Sequence, residues 1–335
     1  MRNRRASILL NLTMAALLMV IVVACSNRSD SDGTTRGRPK ILLLLGVYNN
    51  AFFKKIEEGF RAGMTEQLKR NYKLDVRYCS KPSDVDYQRS GLDHYFAEYV
   101  AGRKDPRLKA VVLVPAASDD EITAQIKQLR DANVPVVIVD LRIKPEALLA
   151  AHTDCSAYIG TQNRDGGALA AQQMAKRLPK GGAILMLNGM TSMVASGDRR
   201  FGFIDRLTKL GRQNSVQYKI TERNANFLRT DAQSIVDGLL NTDQEFDGIF
   251  AANDEMALGA LEALRQKNSE GKTIVIGFDA TQEAVNAVDD GRLAATIAQD
   301  PIGMGQRAAD TVDKLIKHEP VEKEQILSPT VVTHG

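Results

Sequence analysis

The sequence predicts an α/β protein made of two doubly wound parallel-sheet lobes joined by a hinge of crossing strands. Three observations lead there. Short apolar runs alternate with stretches whose apolar residues recur every three or four positions, the signatures of buried strands and amphipathic helices. Most of the runs are continuous and β-branched or leucine-rich, so both sheet faces are covered, as in a parallel sheet with helices on either side. The runs also fall into two sets within 335 residues, a length that suits two domains rather than one.

The first set opens with the strand at 41–47, followed by a helical pattern that puts Phe53, Ile56, Phe60 and Met64 on one face. A strand at 73–79 leads into a helix near 87–101. Next come a strand at 110–114, a helix carrying Ile122, Ile126 and Leu129, and a strand at 136–139. The second set has strands at 182–187, 218–221, 248–251, 273–277 and 294–298, separated by helical patterns near 193–210, 230–241, 254–266 and 281–289. Crossings between the lobes are expected near 158–163 and 299–301, with a strand-like return near Thr330. The N-terminal lobe is then 40–162 with 300–327, and the C-terminal lobe 163–299 with 328–335.

Composition narrows the function classes. The chain is 44% hydrophobic and 25% charged, close to a folded soluble protein, and its mean hydropathy is −0.23. With no second long apolar run, a polytopic membrane protein is excluded. Of the 44 Lys and Arg residues, three (Arg2, Arg4, Arg5) lie in residues 1–25 beside no acid, leaving 41 against 41 Asp and Glu in the body. A neutral body without a basic run does not bind nucleic acid, which demands a concentrated positive surface.

After the three arginines comes an apolar stretch at 8–24, broken only by Asn11 and Thr13, and then Val22-Val23-Ala24-Cys25. This layout is that of a secretion signal, and its last four residues resemble a bacterial lipobox. The resemblance implies cleavage before Cys25, lipidation of that cysteine, and a periplasmic or cell-surface protein held to a membrane by its lipid. An uncleaved signal anchor is the alternative, since the stretch reaches the lower edge of a bilayer span. Residues 26–39 lack apolar periodicity and read as a flexible tether.

Cys79 and Cys155 follow strands expected near opposite edges of one sheet, too far apart for a disulfide, so both are expected as free thiols. The histidines at 94, 152, 318 and 334 are scattered and there is no CxxC, so no metal-ligand spacing is present. No cofactor is expected.

Polar residues collect at strand ends, where ligands bind in open parallel sheets. Asn49 and Asn50 follow the first strand, Asp140 the fourth, Asn253 and Asp254 the 248–251 strand, Asp279 the 273–277 strand and Gln299 the 294–298 strand. Any one of these could simply cap a helix, and Asn253 or Asp254 is expected to do so. Together they draw on both lobes. Phe52 and Phe53 follow Asn50, and Phe227 lies in a polar loop; of two consecutive phenylalanines at a helix start, one is ordinarily core. A sugar suits this inventory, because flat rings cover its C–H faces while Asp, Asn, Arg and Gln fork onto its hydroxyls.

The segments FAANDEMALGALEAL at 250–264 and VIGFDATQEAVNAVDDGRLAATIAQ at 275–299, with YNNAFF at 48–53 and GDRRFGF at 197–203, resemble the ribose-type periplasmic sugar-binding proteins. The resemblance extends from about 40 to 332. It implies a type I periplasmic binding protein fold and a monomer that closes on a pentose or hexose and delivers it to the membrane permease of an ABC transporter. It further implies that Asn50, Asp140, Arg199, Asn253, Asp279 and Gln299 bond sugar hydroxyls while Phe52, Phe53 and Phe227 sandwich the ring. The chain departs from the family in having Leu141, with Arg142 one place later, where ribose-binding members carry arginine directly after the aspartate. These two positions join the candidate set, since losing or moving a guanidinium changes which hydroxyl pattern is accepted. Ala51 also replaces the usual proline. On this reading, Arg199→Ala or Asp279→Ala abolishes binding and spares the fold.

Catalysis finds no support. GxSxG and P-loop patterns are absent and no histidine has a sequence partner; Asp140 and Asp279 as a glycosidase pair would need a separation that spacing does not give. The GMGQRA at 303–308 imitates a dinucleotide fingerprint but lies inside a helical pattern, where it favours close helix packing. A sensor presenting its closed form to a chemoreceptor or histidine kinase is the alternative function. A repressor of the lactose type would need a basic helix-turn-helix where the lipoprotein signal stands.

Overall fold

The leucine run after Lys40 forms the strand β1 (Lys40–Val47), whose residues 41–45 are all buried. In a computed structural model, residues 37–81, 83–242, 244–269 and 271–334 are described; Cys25, the apolar leader and most of the tether lie outside them. From β1 the chain runs through α1 (Ala51–Gly63), α2 (Glu66–Asn71), β2 (Lys73–Cys79), α3 (Val85–Tyr99), β3 (Leu108–Leu113), α4 (Thr123–Asp131), β4 (Val136–Val139), α5 (Pro145–Ala150) and β5 (Ala157–Thr161). The second series is α6 (Asn163–Arg177), β6 (Gly182–Asn188), α7 (Val194–Asn214), β7 (Tyr218–Asn224), α8 (Arg229–Leu240), β8 (Gly248–Ala251), α9 (Asp254–Gln266), β9 (Ile274–Asp279), α10 (Gln282–Asp289) and β10 (Ala295–Ala298). It closes with α11 (Pro301–Ile316), β11 (Glu324–Leu327) and β12 (Thr330–Val332).

These strands make two six-stranded sheets, in the orders β11-β5-β4-β3-β1-β2 and β12-β10-β9-β8-β6-β7. All neighbours are parallel except β10 and β12. The order reverses between β1 and β3 in one sheet and between β6 and β8 in the other, and a ligand crevice opens at such switch points. The chain passes from the first sheet to the second after β5, back after β10, and across again between β11 and β12. Two of these crossings are tied together where Gln162 N donates to Leu327 O at 3.0 Å.

Each sheet is covered on both faces, which explains why the strands read as unbroken apolar runs. In β1, Ile41, Leu43 and Leu45 pack with Phe60 of α1 and Met304 and Val312 of α11. Leu42 and Leu44 face the other way, among Leu92, Ile122 and Ile126 of the α3 and α4 side. In the second sheet, Leu185 and Leu187 meet the α8 and α9 side, while Ile184 and Met186 meet that of α6 and α7. The edge strands β2 and β7 are half-exposed and carry charges, which discourages pairing with another chain.

Three helices escape the sequence pattern. Of these, α2 and α5 have six residues each. The 15-residue α6 buries glycines, alanines, Asn163 and Met174, so its packed face is small rather than apolar. The GMGQRA segment lies in α11, as its helical context requires: a Cβ on Gly305 would stand 2.2 Å from Ile56 O of α1, so the glycine permits helix contact. Cys79 and Cys155 are free, the first buried and the second half-buried.

Candidate functional site

The end of β1 sets the first wall of the site. Asn50 N donates to Val47 O at 3.2 Å, turning the chain, and Asn50 Oδ1 accepts the Phe52 N–H at 2.9 Å as the N-cap of α1. Helix geometry then divides the two phenylalanines: Phe52 is 5% exposed within the core and Phe53 is half-buried. Their rings stand edge to face, 5.7 Å apart. Gly46 makes room, since a Cβ there would lie 2.3 Å from the Phe53 ring.

At the end of β4 the backbone of Asp140 turns left-handed, with φ of 65°, a conformation Asp tolerates better than most residues. Its N–H donates to Ile159 O at 2.8 Å and its carbonyl accepts from Tyr158 Oη at 2.9 Å. Leu141 follows into the same wall. Arg142 does not: it is paired with Glu324 of β11, and its guanidinium lies 4.0 Å from the Tyr158 ring centre. The shifted arginine is thus engaged away from the cleft.

The C-terminal lobe supplies the opposite wall. Arg199 of α7 is 4% exposed. Its Nε donates to Asn163 Oδ1 at 2.8 Å and its Nη1 to Ala252 O at 2.6 Å, with Asp279 Oδ1 farther off at 3.5 Å. The guanidinium also covers the Phe278 ring at 3.8 Å. Asn253 is the N-cap of α9, its Oδ1 accepting from Met256 N at 3.0 Å, and its Nδ2 donates to Phe227 O at 3.2 Å. Capping and cleft lining therefore coexist in one residue. Asn226 and Phe227 are both left-handed, and the Phe227 ring occupies the space that a Cβ on Gly189 would need, 2.0 Å away. Gln299 Nε2 donates to Asp279 Oδ1 at 2.6 Å, leaving its Oε1 buried with no partner among the described residues.

These side chains meet. Asn50, Phe52, Phe53, Asp140 and Leu141 from one lobe and Arg199, Phe227, Asn253, Asp279 and Gln299 from the other line a cavity of about 280 Å³. Asp254, the strand-end neighbour of Asn253, is turned away: fully buried, it accepts from Thr281 N, Thr281 Oγ1 and Thr296 Oγ1 at 2.7, 3.1 and 2.7 Å. It fastens the ends of β9 and β10. The lining also includes Cys79, Lys81, Met190, Met193 and Glu255, none of which is a polar residue directly after a strand. Cys79 and Met190 stand at or just past the ends of β2 and β6, so the same strand-end rule applied to apolar residues would have found them. The lobes touch at the rim, where Ser83 Oγ donates to Met190 Sδ at 2.9 Å and Ser118 Oγ accepts from Val194 N at 3.2 Å.

Burial dominates the electrostatics. It raises the Asp140 carboxyl to about 7, against the pull of Arg199 and with the help of Asp279. Asp279 and Asp254 are pushed up for the same reason, Asp279 being held back by Arg199 and the Gln299 bond. Burial also lifts the Cys79 thiol to about 11, so at neutral pH it is protonated and a poor nucleophile. Among the described residues no cluster of His, Cys, Asp or Glu could hold a metal ion. The cavity offers hydrogen-bond acceptors, one buried guanidinium and aromatic faces, an arrangement suited to holding a small polyhydroxylated molecule.

The sequence matches the periplasmic binding protein domain family over residues 41–320. It is similar to the ribose import binding protein of Escherichia coli (strain K12), with 28% identity over 310 residues that cover 91% of this chain and 94% of the relative. The fold is similar to that of an ABC transporter periplasmic solute binding protein from Actinobacillus succinogenes 130z with bound D-allose, at a TM-score of 0.78 and 24% identity, covering 88% of this chain and 98% of that one. A solute binding protein from Agrobacterium vitis with bound D-fucose gives a TM-score of 0.76 and 25% identity, covering 88% and 95%. With the match spanning most of the chain and both sheets, the chain belongs to the periplasmic binding protein domain family.

Proposed function

We propose that this protein captures a monosaccharide outside the cytoplasm and hands it to the membrane permease of an ABC transporter. The observation that carries the reading is a cavity in which acceptors and aromatic rings from two lobes converge. Relatives named for ribose import, and a similar structure holding D-fucose, support the substrate class. Asn50, Asp140, Arg199, Asn253, Asp279 and Gln299 serve as hydroxyl partners, and Phe53 and Phe227 cover the ring faces with Phe52 behind. Capture is by closure: residues 40–162 with 300–327 form one body and 163–299 with 328–335 the other, turning about the three crossings, and contacts from both walls stabilise the shut form. The protein binds without catalysing a reaction and acts as a monomer. Cys25 carries the lipid that keeps it at the membrane.

A melting-temperature screen against pentoses, hexoses and their alditols tests this. Ligand at one hundred times its dissociation constant adds about 2.7 kcal/mol of stability. A shift with one or a few sugars is expected; no shift with any sugar overturns the reading. Substitution of Cys25 by Ala, followed by membrane fractionation and fatty-acid labelling, tests the anchor, and unchanged labelling refutes it.

A further inference from the structure

The interior of the cleft is short of positive charge. Asp140 and Asp279 line it from opposite lobes, and Arg199 is the buried cation whose charge reaches both. Yet Arg199 directs its short bonds to the neutral acceptors Ala252 O and Asn163 Oδ1, with Asp279 at 3.5 Å. The other nearby cations are occupied or peripheral. Arg142 pairs with Glu324, Arg229 is shared by Glu255 and Glu283, and Lys81 is exposed at the rim.

Among the described residues no donor bonds the Asp140 carboxylate, although the residue is only 5% exposed and lines the cavity. Its neighbour in the wall, Leu141, brings no donor either. Gln299 Oε1, in the same cavity, is a buried acceptor without a partner among the described residues. A carboxylate facing a sheltered cavity with few waters and no bonded donor is held at a cost in free energy until a ligand supplies donors. A hydroxyl supplies one donor and no charge, whereas an ammonium supplies three N–H groups and a positive charge together.

We propose that the preferred ligand is a monosaccharide or polyol bearing an amino group, with its ammonium against Asp140 and its hydroxyls toward the C-terminal lobe. The inference rests on the sugar-capture reading and narrows its substrate class. The upward shift of the Asp140 carboxyl is that of a desolvated acid whose burial outweighs the pull of Arg199, and an ammonium beside it restores the ionised form.

Calorimetric titration of the purified protein at pH 7 tests the proposal, using amino-deoxy hexoses, pentoses and alditols with the amine at each position, their neutral parents and their N-acetyl derivatives. At least one amine is expected to bind about tenfold or more tightly than its parent, the difference between charge-assisted and neutral hydrogen bonds, and N-acetylation to cancel the gain. In Asp140→Asn, which keeps shape and tolerates the left-handed backbone, the amine should fall to the level of its parent. Parents that bind as tightly as every amine, or a gain that survives acetylation, overturn the proposal while leaving sugar capture standing. Silence from neutral and amino compounds alike overturns sugar capture itself.

Discussion

Replacing Arg199 by Met keeps the apolar stem and removes the guanidinium. Four contacts go with it: the bonds to Asn163 Oδ1 and Ala252 O, the pairing with Asp279 and the cover over Phe278. Hydrogen bonds to charged groups contribute about 1.5–3 kcal/mol each but are not additive when they share a donor group. Deleting one partner of a buried charge cluster costs about 3–5 kcal/mol in total, and we expect that range here. The deficit should grow with pH. Arg199 holds down Asp140 and Asp279 against burial, so without it both folded-state carboxyls move further above their unfolded values. A raised acid contributes stability that is full below about pH 4 and is lost as pH rises through its folded value, about 7 for Asp140 in the parent. Urea unfolding at pH 5 and pH 8 reads this. Circular dichroism is the suitable probe, since the chain has no tryptophan. A loss below about 1 kcal/mol at both pH values, within the range of an ordinary single hydrogen bond, would refute the view that Arg199 ties the C-terminal lobe together. It would restore the simpler reading of Arg199 as a ligand contact alone.

Other perturbations follow from the same geometry. Without ligand, raising the pH from 5 to 8 ionises Asp140, whose charged form is penalised by burial in the cleft. Small-angle scattering should therefore show a shift toward an open form, absent in Asp140→Asn; a pH-independent parent counts against it. Gly305→Ala drives a Cβ to 2.2 Å from Ile56 O and should cost about 1–3 kcal/mol by overpacking, read as a lowered melting temperature; an unchanged one contradicts the tight α1–α11 contact. Asn253→Ala removes a helix cap worth about 1 kcal/mol and also frees the Phe227 loop. Its sugar affinity should therefore fall by more than the tenfold or less that the cap alone would explain, and a smaller loss removes Asn253 from the site.

Much of the architecture is legible in the sequence because parallel strands buried on both faces leave unbroken apolar runs, as at 41–45, 136–139 and 248–251. The site is partly legible for a related reason. Strand ends in such sheets point to one crevice, so Asn50, Asp140, Asn253, Asp279 and Gln299 stand out by position. Helix α6 does not, because its packing surface is glycine and alanine and carries little hydropathy contrast. Met190 and Met193 look like ordinary apolar residues until the lobes are brought together.

Local sequence, then, determined the strands, the caps and the chemical types gathered at the strand ends, since these depend on short-range periodicity and backbone preference. Tertiary structure alone decided how those types are used. Adjacent residues part company: Leu141 enters the cleft and Arg142 turns to Glu324, while Asn253 lines the cavity and Asp254 is locked to two threonines. Likewise Arg199 proves to be a tie within its own lobe, and Asp140 a carboxylate that no donor among the described residues bonds. Partners and protonation depend on which distant groups exclude water from a side chain, and residues far apart in sequence set that only when the two sheets and their helices have packed.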